Sequence, residues 1–402
     1  MRRFLASVYA FKFFDAFILI YPLYAVMFVD AGMSAGEVGA ALAVWSVTAF
    51  LVEIPAGVWA DRWSRRGILA IAQLARWAGL AIWLAWPHFW GFLAGFVLWG
   101  IKSGLTGGCF EALVYDELKA AGREAEYTRL AGRAEATQFV GILAASFCAA
   151  PIAHLGYGLL LTFSLGACAA AAVAAKSFPR APRAVAAGDL DYLAHLRLGL
   201  RQTLRSPAVL GLVVFIAVTL ALGGALDEFW SIFASRAGLS HGAVAIFIGA
   251  MSGGQAAASA LAHRARRLPT GVFYALFAIN GALLAVAAAL FRPAAVPLLV
   301  AFSASFKVID IVFEGRLQAA LPSGTRATIA SVKGFVVELG VTFLYLSFGP
   351  LAQLAGYRTA FLATGAVVAL IGVGLMAWRS ARRPGSGAPS PLAGEGGCKA
   401  AG

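Results

Sequence analysis

Long blocks of apolar residues recur along the chain from Phe4 to Trp378, and short polar segments separate them. About 20 helical residues, at a rise of 1.5 Å each, cross a hydrocarbon core roughly 30 Å thick. The blocks do not alternate between apolar and polar positions, as the strands of an outer-membrane barrel do. The pattern therefore predicts an all-α integral membrane protein with twelve transmembrane helices. The predicted spans are 6–29, 37–60, 67–87, 90–115, 131–153, 157–177, 208–234, 241–262, 270–291, 295–315, 328–349 and 357–378.

Two segments interrupt this pattern. After the sixth block the chain becomes polar and basic, and Leu193, Leu196, Leu200 and Leu204 recur there at helical spacing, which predicts an amphipathic helix at the membrane surface. The end of the chain is rich in Pro, Gly, Ser and Ala, a composition typical of disorder. We therefore predict four parts. They are a six-helix bundle at 1–178, a cytoplasmic linker with the amphipathic helix at 179–206, a second six-helix bundle at 207–380 and a disordered cytoplasmic tail at 381–402.

Composition excludes a soluble globular protein, because 61% of the residues are hydrophobic, only 13% are charged and the mean hydropathy is +0.81. The net charge of +13 does not indicate a nucleic-acid partner, since the basic residues concentrate in alternate loops. The opposite loops hold only Arg236, Arg292 and Arg358. By the positive-inside rule both termini are cytoplasmic, and we expect the bacterial cytoplasmic (inner) membrane.

A sequence correspondence between the halves supports a repeat. Ala60-Asp61-Arg62 follows the second predicted span, and Ala262-His263-Arg264 follows the eighth, about two hundred residues later. Further basic residues follow each triplet. The correspondence, together with six spans on either side of a long linker, predicts two six-helix pseudo-repeats.

The segment Gly57-Val58-Trp59-Ala60-Asp61-Arg62-Trp63-Ser64-Arg65-Arg66 resembles the loop signature of the major facilitator superfamily, departing from its commonest form at Trp59 and Ser64. The resemblance covers residues 1–380. Two shorter segments, Glu111–Asp116 and Arg326–Thr328, are similar to the bacterial drug-transporter-like branch. The resemblance implies the major facilitator fold and secondary transport of a small solute by alternating access.

The resemblance also implies a cytoplasmic gate. Asp61, Arg65 and Asp116 would join the two halves in the outward-open state, with Asp61 near the start of span eleven. An alternative is that the arginines only fix the topology. The gate candidates are Gly57, Asp61, Arg62, Arg65, Arg66 and Asp116.

Charged residues inside spans are costly in lipid and usually face a cavity. In the family that this chain resembles, spans one, four, seven and ten line the central cavity. The proton-coupling or substrate candidates are Lys12, Asp15, Lys102, Glu111, Asp227, Lys307, Asp310, Glu314 and Glu338.

These candidates have different expected roles. Asp15, Asp310 and Glu338 are the first choices for a proton carrier, and Lys102 and Lys307 for holding an anionic substrate or neutralising those acids. Lys12 and Asp15 could instead simply pair with each other. Asp227 and Glu228 follow Gly223-Gly224, a weak point of span seven, and could be solvated on the outer side. Arg76, Arg133 and Glu135 are expected to be structural partners.

The sequence contains no Walker loop, metal cluster or catalytic constellation, so we expect no enzyme, no cofactor and no bound metal. Three functions stay open. The first is proton-coupled efflux of a drug-like or amphiphilic metabolite, although span five lacks the Gly-rich, Pro-containing motif of many antiporters. The second is proton-coupled uptake of a small, possibly anionic, nutrient. The third is a non-transporting sensor or assembly protein. The expected partners are a small-molecule substrate, protons and membrane lipids, with no nucleic acid, and the protein is expected to be monomeric.

Overall fold

The computed structural model describes residues 2–62, 64–179, 192–321 and 326–381, and this part of the chain is helical without any strand. The helices of the N-terminal half are α1 (Arg2–Ala16), α2 (Tyr24–Asp30), α3 (Ala35–Arg62), α4 (Arg65–Ala85), α5 (Phe89–Thr106), α6 (Cys109–Ala120), α7 (Tyr127–Ile152) and α8 (Tyr157–Lys176). Those that follow are α9 (Tyr192–Arg205), α10 (Pro207–Gly224), α11 (Trp230–Arg236), α12 (His241–Ala265), α13 (Thr270–Leu290), α14 (Val296–Ala320), α15 (Arg326–Ala355) and α16 (Tyr357–Ala381).

Eleven helical segments of the described chain are long and apolar enough to cross a membrane. The first of the twelve predicted spans is not one continuous helix, because α1 ends at Ala16 and α2 begins at Tyr24. Pro22 lies in the interruption, and proline has no N–H for a helical hydrogen bond. The backbone N–H of Ile20 donates to the Ser164 hydroxyl oxygen at 3.0 Å. Together α1 and α2 form the first span of an all-α, twelve-helix bundle.

The seventh span is interrupted at the corresponding place. Helix α10 ends at Gly224, a 3-10 turn covers Ala225–Phe229, and α11 follows. Helices α2 and α11 each contain seven residues. The turn after each includes a glycine in the left-handed region, Gly32 at φ 94° and Gly238 at φ 99°. The predicted weak point at the glycine pair thus coincides with a 3-10 turn between two α-helices.

Sequence repeats accompany these matching breaks. Ala31-Gly32-Met33-Ser34 corresponds to Ala237-Gly238-Leu239-Ser240, with an offset of 206 residues. Further on, Gly156-Tyr157 opens α8 as Gly356-Tyr357 opens α16, and both glycines have positive φ. These correspondences match structural elements, and they confirm the two six-helix pseudo-repeats more directly than the basic clusters do.

The two halves pack together through α3 with α15, α7 with α12, and α2 with α11. Glycines allow the backbones to approach closely, as in other membrane helix pairs. A Cβ on Gly39 would lie 2.5 Å from the Tyr345 carbonyl oxygen, and one on Gly242 would lie 2.7 Å from that of Ala150. Both contacts lie near the loops α2–α3 and α11–α12, remote from the chain termini. We call this the outer end, and the two halves are closed against each other there.

Helix α9 lies in the predicted linker and packs against α15. A Cβ on Gly199 would lie 2.5 Å from the Thr328 carbonyl oxygen, so the two helices touch backbone to backbone. Residues 180–191 of the linker and the predicted tail from 382 to 402 lie outside the described residues. The domain boundaries at 178, 206 and 380 stay predictions.

Candidate functional site

Asp15 is the centre of a charged group inside the N-terminal half. Its Oδ1 atom lies 3.0 Å from Nη2 of Arg76 and 2.8 Å from Nζ of Lys102, and Gln73 donates to it at 2.6 Å. Lys12 instead donates to Oε1 of Gln138 at 3.1 Å. The alternative of a Lys12–Asp15 pair is therefore wrong. Arg76 has the structural role of partner to an acid, as expected.

This Asp15 group joins three helices, since Asp15 lies on α1, Gln73 and Arg76 on α4, and Lys102 on α5. The side chains are almost fully buried, with 12% of Asp15 and 3% of Arg76 exposed. A buried charge is stable only with partners of opposite charge and satisfied hydrogen bonds. Two cations around one carboxylate fix Asp15 in place and leave this interior with an excess of positive charge.

A second acidic group lies in the break of the seventh span. Trp230 Nε1 donates to Oδ1 of Asp227 at 2.8 Å, and Gln255 Nε2 donates to Oδ2 at 3.1 Å. Gln255 Nε2 also lies 2.6 Å from the Ser303 hydroxyl. The neighbouring Glu228 accepts a hydrogen bond from the Tyr24 hydroxyl, which belongs to the other half. Both acids thus have protein partners, whereas sequence reasoning allowed that they were simply solvated.

All these donors are neutral. Among the described residues, no Lys or Arg nitrogen lies within 4.0 Å of the Asp227 or Glu228 carboxylate oxygens. Lys307 lines a cavity with Asp227 but pairs with Asp310, Nζ to Oδ2, at 3.3 Å. Asp227 and Glu228 therefore differ from Asp15 and Asp310, each of which has a cation partner.

The predicted polar stripe on span ten is divided between two environments. Lys307 and Asp310 line the cavity beside Asp227. Glu314, one turn further along α14, pairs with Lys333 of α15 at 2.7 Å. Glu338, also on α15, accepts a hydrogen bond from the Ser46 hydroxyl on α3, across the interface of the halves.

Two small cavities meet at Asp227. One, of about 80 Å³, is lined by aromatic and acidic side chains that include Tyr21, Tyr24, Trp230 and Glu228. The other, of about 110 Å³, lies between α10, α12 and α14 and reaches Lys307 and Asp310. Asp227 and Gln255 line both cavities. Polar cavities of this size have room for a few waters, since a water occupies about 30 Å³.

The gate candidates fall at the end of the bundle that carries the termini. Arg65 of α4 pairs with Asp116 of α6, within the N-terminal half. Arg66 donates to the carbonyl oxygen of Phe178 at 3.3 Å. Glu111 lies exposed in the first turn of α6. Helix α3 ends at Arg62. The side chains of Asp61 and Arg62 and the surroundings of Gly57 lie outside the described part of the structure.

Sequence reasoning missed the neutral members of these groups. Tyr24 and Trp230 are residue types that are typical of membrane interfaces, but in the structure they hydrogen-bond to the two acids. A signal was present, because the two residues occupy equivalent positions at the offset of 206. Gln73 lies three residues before Arg76, on the same helical face, and so could have been associated with it.

A bundle of twelve spans in two matching halves, with charged groups inside, defines a membrane transporter rather than an enzyme. The chain belongs to the Major Facilitator Superfamily, whose family model matches residues 5–315. No curated protein matches the sequence.

Solved structures show the same fold at low sequence identity. The nucleoside transporter NupG aligns with a TM-score of 0.72 at 14% identity, covering 93% of this chain and 98% of that one. A D-xylose-proton symporter aligns with a TM-score of 0.70 at 14% identity, covering 92% and 96%. An auto-inhibited peptide transporter of the POT family aligns with a TM-score of 0.73 at 13% identity, covering 96% and 98%.

Proposed function

We propose that this transporter exchanges protons for a small amphiphilic organic cation and exports that cation across the bacterial cytoplasmic membrane. The observation that carries the proposal is the pair Asp227 and Glu228. Both acids lie in the break of the seventh span, beside aromatic residues and without a Lys or Arg within 4.0 Å in the described chain.

The proton carrier must be an acid that can lose its charge without leaving a buried cation unpaired. Protonation of Asp15 would leave Arg76 and Lys102 without their carboxylate, and protonation of Asp310 would do the same to Lys307. Asp227 and Glu228 accept only from neutral donors, so neutralising them leaves no cation behind. This distinction favours Asp227 and Glu228 over Asp15 and Asp310. Glu338 also accepts from a neutral donor, the Ser46 hydroxyl, but it lines neither of the two cavities that meet at Asp227.

The position of Glu228 links its protonation to the opening of the outer end. Its carboxylate accepts the Tyr24 hydroxyl across the interface of the halves, between the short helices α2 and α11. A hydrogen bond to a charged acceptor is stronger than one between neutral groups. Protonation of Glu228 therefore weakens one contact that holds the outer end closed, and it shifts the population toward the outward-open state.

The residues that line the smaller cavity indicate which class of substrate it binds. Tyr21, Tyr24 and Trp230 line this cavity with aromatic rings, a residue type that favours cations, and Asp227 and Glu228 supply the opposite charge. Lys102 and Lys307, the two candidates for holding an anionic substrate, both pair with carboxylates. A cation and a proton that compete for the same acids are exchanged, and an inward proton gradient then drives the cation out.

We further propose that Arg65 and Asp116 belong to the cytoplasmic gate. They form a salt bridge between α4 and α6 beside the loop that carries the family signature. In the outward-open state Asp61 would approach the start of α15 and join the halves there. The assignment assumes cytoplasmic termini, as the distribution of basic residues predicts.

The test uses everted membrane vesicles with an imposed pH gradient and a panel of organic cations, organic acids, sugars and amino acids. A cation that collapses the gradient through the wild-type protein supports the proposal if Glu228→Gln and Asp227→Asn abolish the response. The matched control is Glu126→Gln, because Glu126 is exposed and forms a surface pair with Arg123, remote from both cavities. Collapse by anions alone would favour nutrient uptake. An unchanged cation response in both acid variants would refute the assigned proton carriers.

A further inference from the structure

The outward face of α9 combines exposed arginines with exposed leucines. Arg197, Arg201 and Arg205 recur every four residues and are all exposed. Leu200 and Leu204 are 47% and 58% exposed. At 100° per residue these five positions occupy an arc of about 140° on the helix. The opposite side of α9 carries Gly199 and Thr203, which are buried.

The buried side of α9 is occupied by the bundle. Gly199 lies against the Thr328 carbonyl and the Val332 side chain of α15. The packing on α15 therefore directs the arginines and leucines away from the protein. Neither the fold nor the proposed transport function uses this face.

The short connection between α9 and α10 fixes the depth of α9 in the membrane. Ser206 alone separates Arg205 from Pro207, the first residue of α10, and the Ser206 hydroxyl caps α10 by accepting from the N–H of Val209. Helix α10 begins a membrane span. The end of α9 must then lie at the boundary between headgroups and hydrocarbon, where exposed leucines can enter the acyl chains.

We infer that this face of α9, defined by Arg197, Leu200, Arg201, Leu204 and Arg205, binds anionic phospholipids of the leaflet on the side of the termini. The guanidinium groups pair with headgroup phosphates, and the leucines insert beside the acyl chains. Charge complementarity and the imposed depth select a lipid over a soluble partner. Lipids bound there would hold α9 against α15 and beside the start of α10.

The test measures binding of single lipids to the purified full-length protein by native mass spectrometry. The probes are palmitoyl-oleoyl phosphatidylglycerol and the zwitterionic phosphatidylcholine with the same chains. The test variant carries Arg197→Gln, Arg201→Gln and Arg205→Gln. The control carries Arg264→Gln, Arg266→Gln and Arg267→Gln, which removes three exposed charges at the same end of the protein.

We expect the test variant to bind phosphatidylglycerol at least about tenfold more weakly than wild type, since each arginine near an anionic surface contributes roughly a fivefold factor. Phosphatidylcholine binding and the control variant should change less than about twofold. A third variant with lysine at the same three positions should recover most of the binding, which shows that charge rather than folding is responsible. Equal losses in the test and control variants would overturn the assignment.

Two further measurements separate lipid from other anions. Leu200→Ser with Leu204→Ser should also weaken phosphatidylglycerol binding, because a lipid uses both parts of the face. Unchanged binding in this leucine variant would contradict lipid insertion. Inorganic phosphate that displaces the lipid far better than chloride at equal ionic strength would identify a free-phosphate site and overturn the proposal. None of these measurements depends on transport.

Discussion

The hydroxyl of Tyr24 donates a hydrogen bond to the carboxylate of Glu228, 204 residues further along the chain. The two residues lie beside the breaks of the first and seventh spans, and each break belongs to a different half. A second contact between the halves at the outer end involves His241, whose Nε2 lies 3.3 Å from Oδ2 of Asp30. Tyr157 also hydrogen-bonds to Asp30. These contacts differ in burial, and their strengths should differ accordingly.

Tyr24→Phe should loosen the outer end. A hydrogen bond to a charged group contributes about 1.5–3 kcal/mol. Its loss lowers the ratio of closed to outward-open molecules roughly tenfold or more, and so reduces the closed population. Distances between spin labels on the α2–α3 and α11–α12 loops, measured by pulsed electron resonance, report that population. Tyr274→Phe is the control, because the hydroxyl of Tyr274 makes no hydrogen bond within the described residues. An unchanged distance distribution in Tyr24→Phe would contradict the role of the bridge.

His241→Gln should have a smaller effect in the same measurement. The side chains of His241 and Asp30 are 37% and 43% exposed, so water and ions screen their attraction. Exposed pairs of this kind contribute about 0–1 kcal/mol. The ratio of closed to outward-open molecules should fall by less than about fivefold. A larger effect than that of Tyr24→Phe would show that the exposed His241–Asp30 pair, rather than the Tyr24–Glu228 hydrogen bond, holds the outer end closed.

Gly39→Ala should hinder closure of the outer end by steric overlap. The added Cβ would lie 2.5 Å from the Tyr345 carbonyl oxygen and 3.0 Å from Cα of Gly349, and neither backbone can move without separating α3 from α15. We expect a shift toward outward-open molecules, seen as faster thiol labelling in a Ser231→Cys background, because Ser231 is buried and lines the smaller cavity. Gly166→Ala is the matched control, because its Cβ would meet no atom within 4 Å. Equal labelling rates in the two variants would refute the steric argument.

Asp15→Asn should destabilise the protein, because Arg76 and Lys102 lose the carboxylate that both of them contact. Removing one partner of a buried ion pair costs about 3–5 kcal/mol. Thermal unfolding of the detergent-solubilised protein, followed by tryptophan fluorescence, should show a clearly lower midpoint. Glu135→Gln on the exposed side of α7 should leave the midpoint unchanged. A stable Asp15→Asn variant that lacks only proton coupling would instead support the original assignment of Asp15 as a proton carrier.

The membrane spans could be predicted from the sequence because each one is long and apolar by itself. The breaks were harder to see. Pro22 marks the first of them, but Phe17, Ile18, Leu19 and Ile20 are as apolar as a continuous helix would be. Hydropathy reports transfer into lipid, and it is insensitive to whether the backbone continues as a helix. Only hydrogen bonds such as Ile20 to Ser164 reveal the interruption.

The charged residues of the site could be found from the sequence, but their partners could not. Asp15 and Arg76 are 61 positions apart, and only the arrangement of α1, α4 and α5 in the folded bundle decides that Arg76 and Lys102, rather than Lys12, reach Asp15. The same limit applies to Asp227 and Glu228. Their lack of a cation partner is a property of the three-dimensional arrangement, and this property separates them from Asp310.

The breaks of the first and seventh spans occupy equivalent positions in the repeat, but the residues at the two breaks differ in chemistry. At the offset of 206 residues, Asp227 corresponds to Tyr21, and Glu228 corresponds to Pro22. The two breaks thus share a backbone design, while the two acids that accept only from neutral donors lie in the second break. The other copy keeps its cations fixed around Asp15. The proposed exchange therefore changes the net charge of the C-terminal half alone, at Asp227 and Glu228, while the net charge around Asp15 in the N-terminal half stays constant during transport.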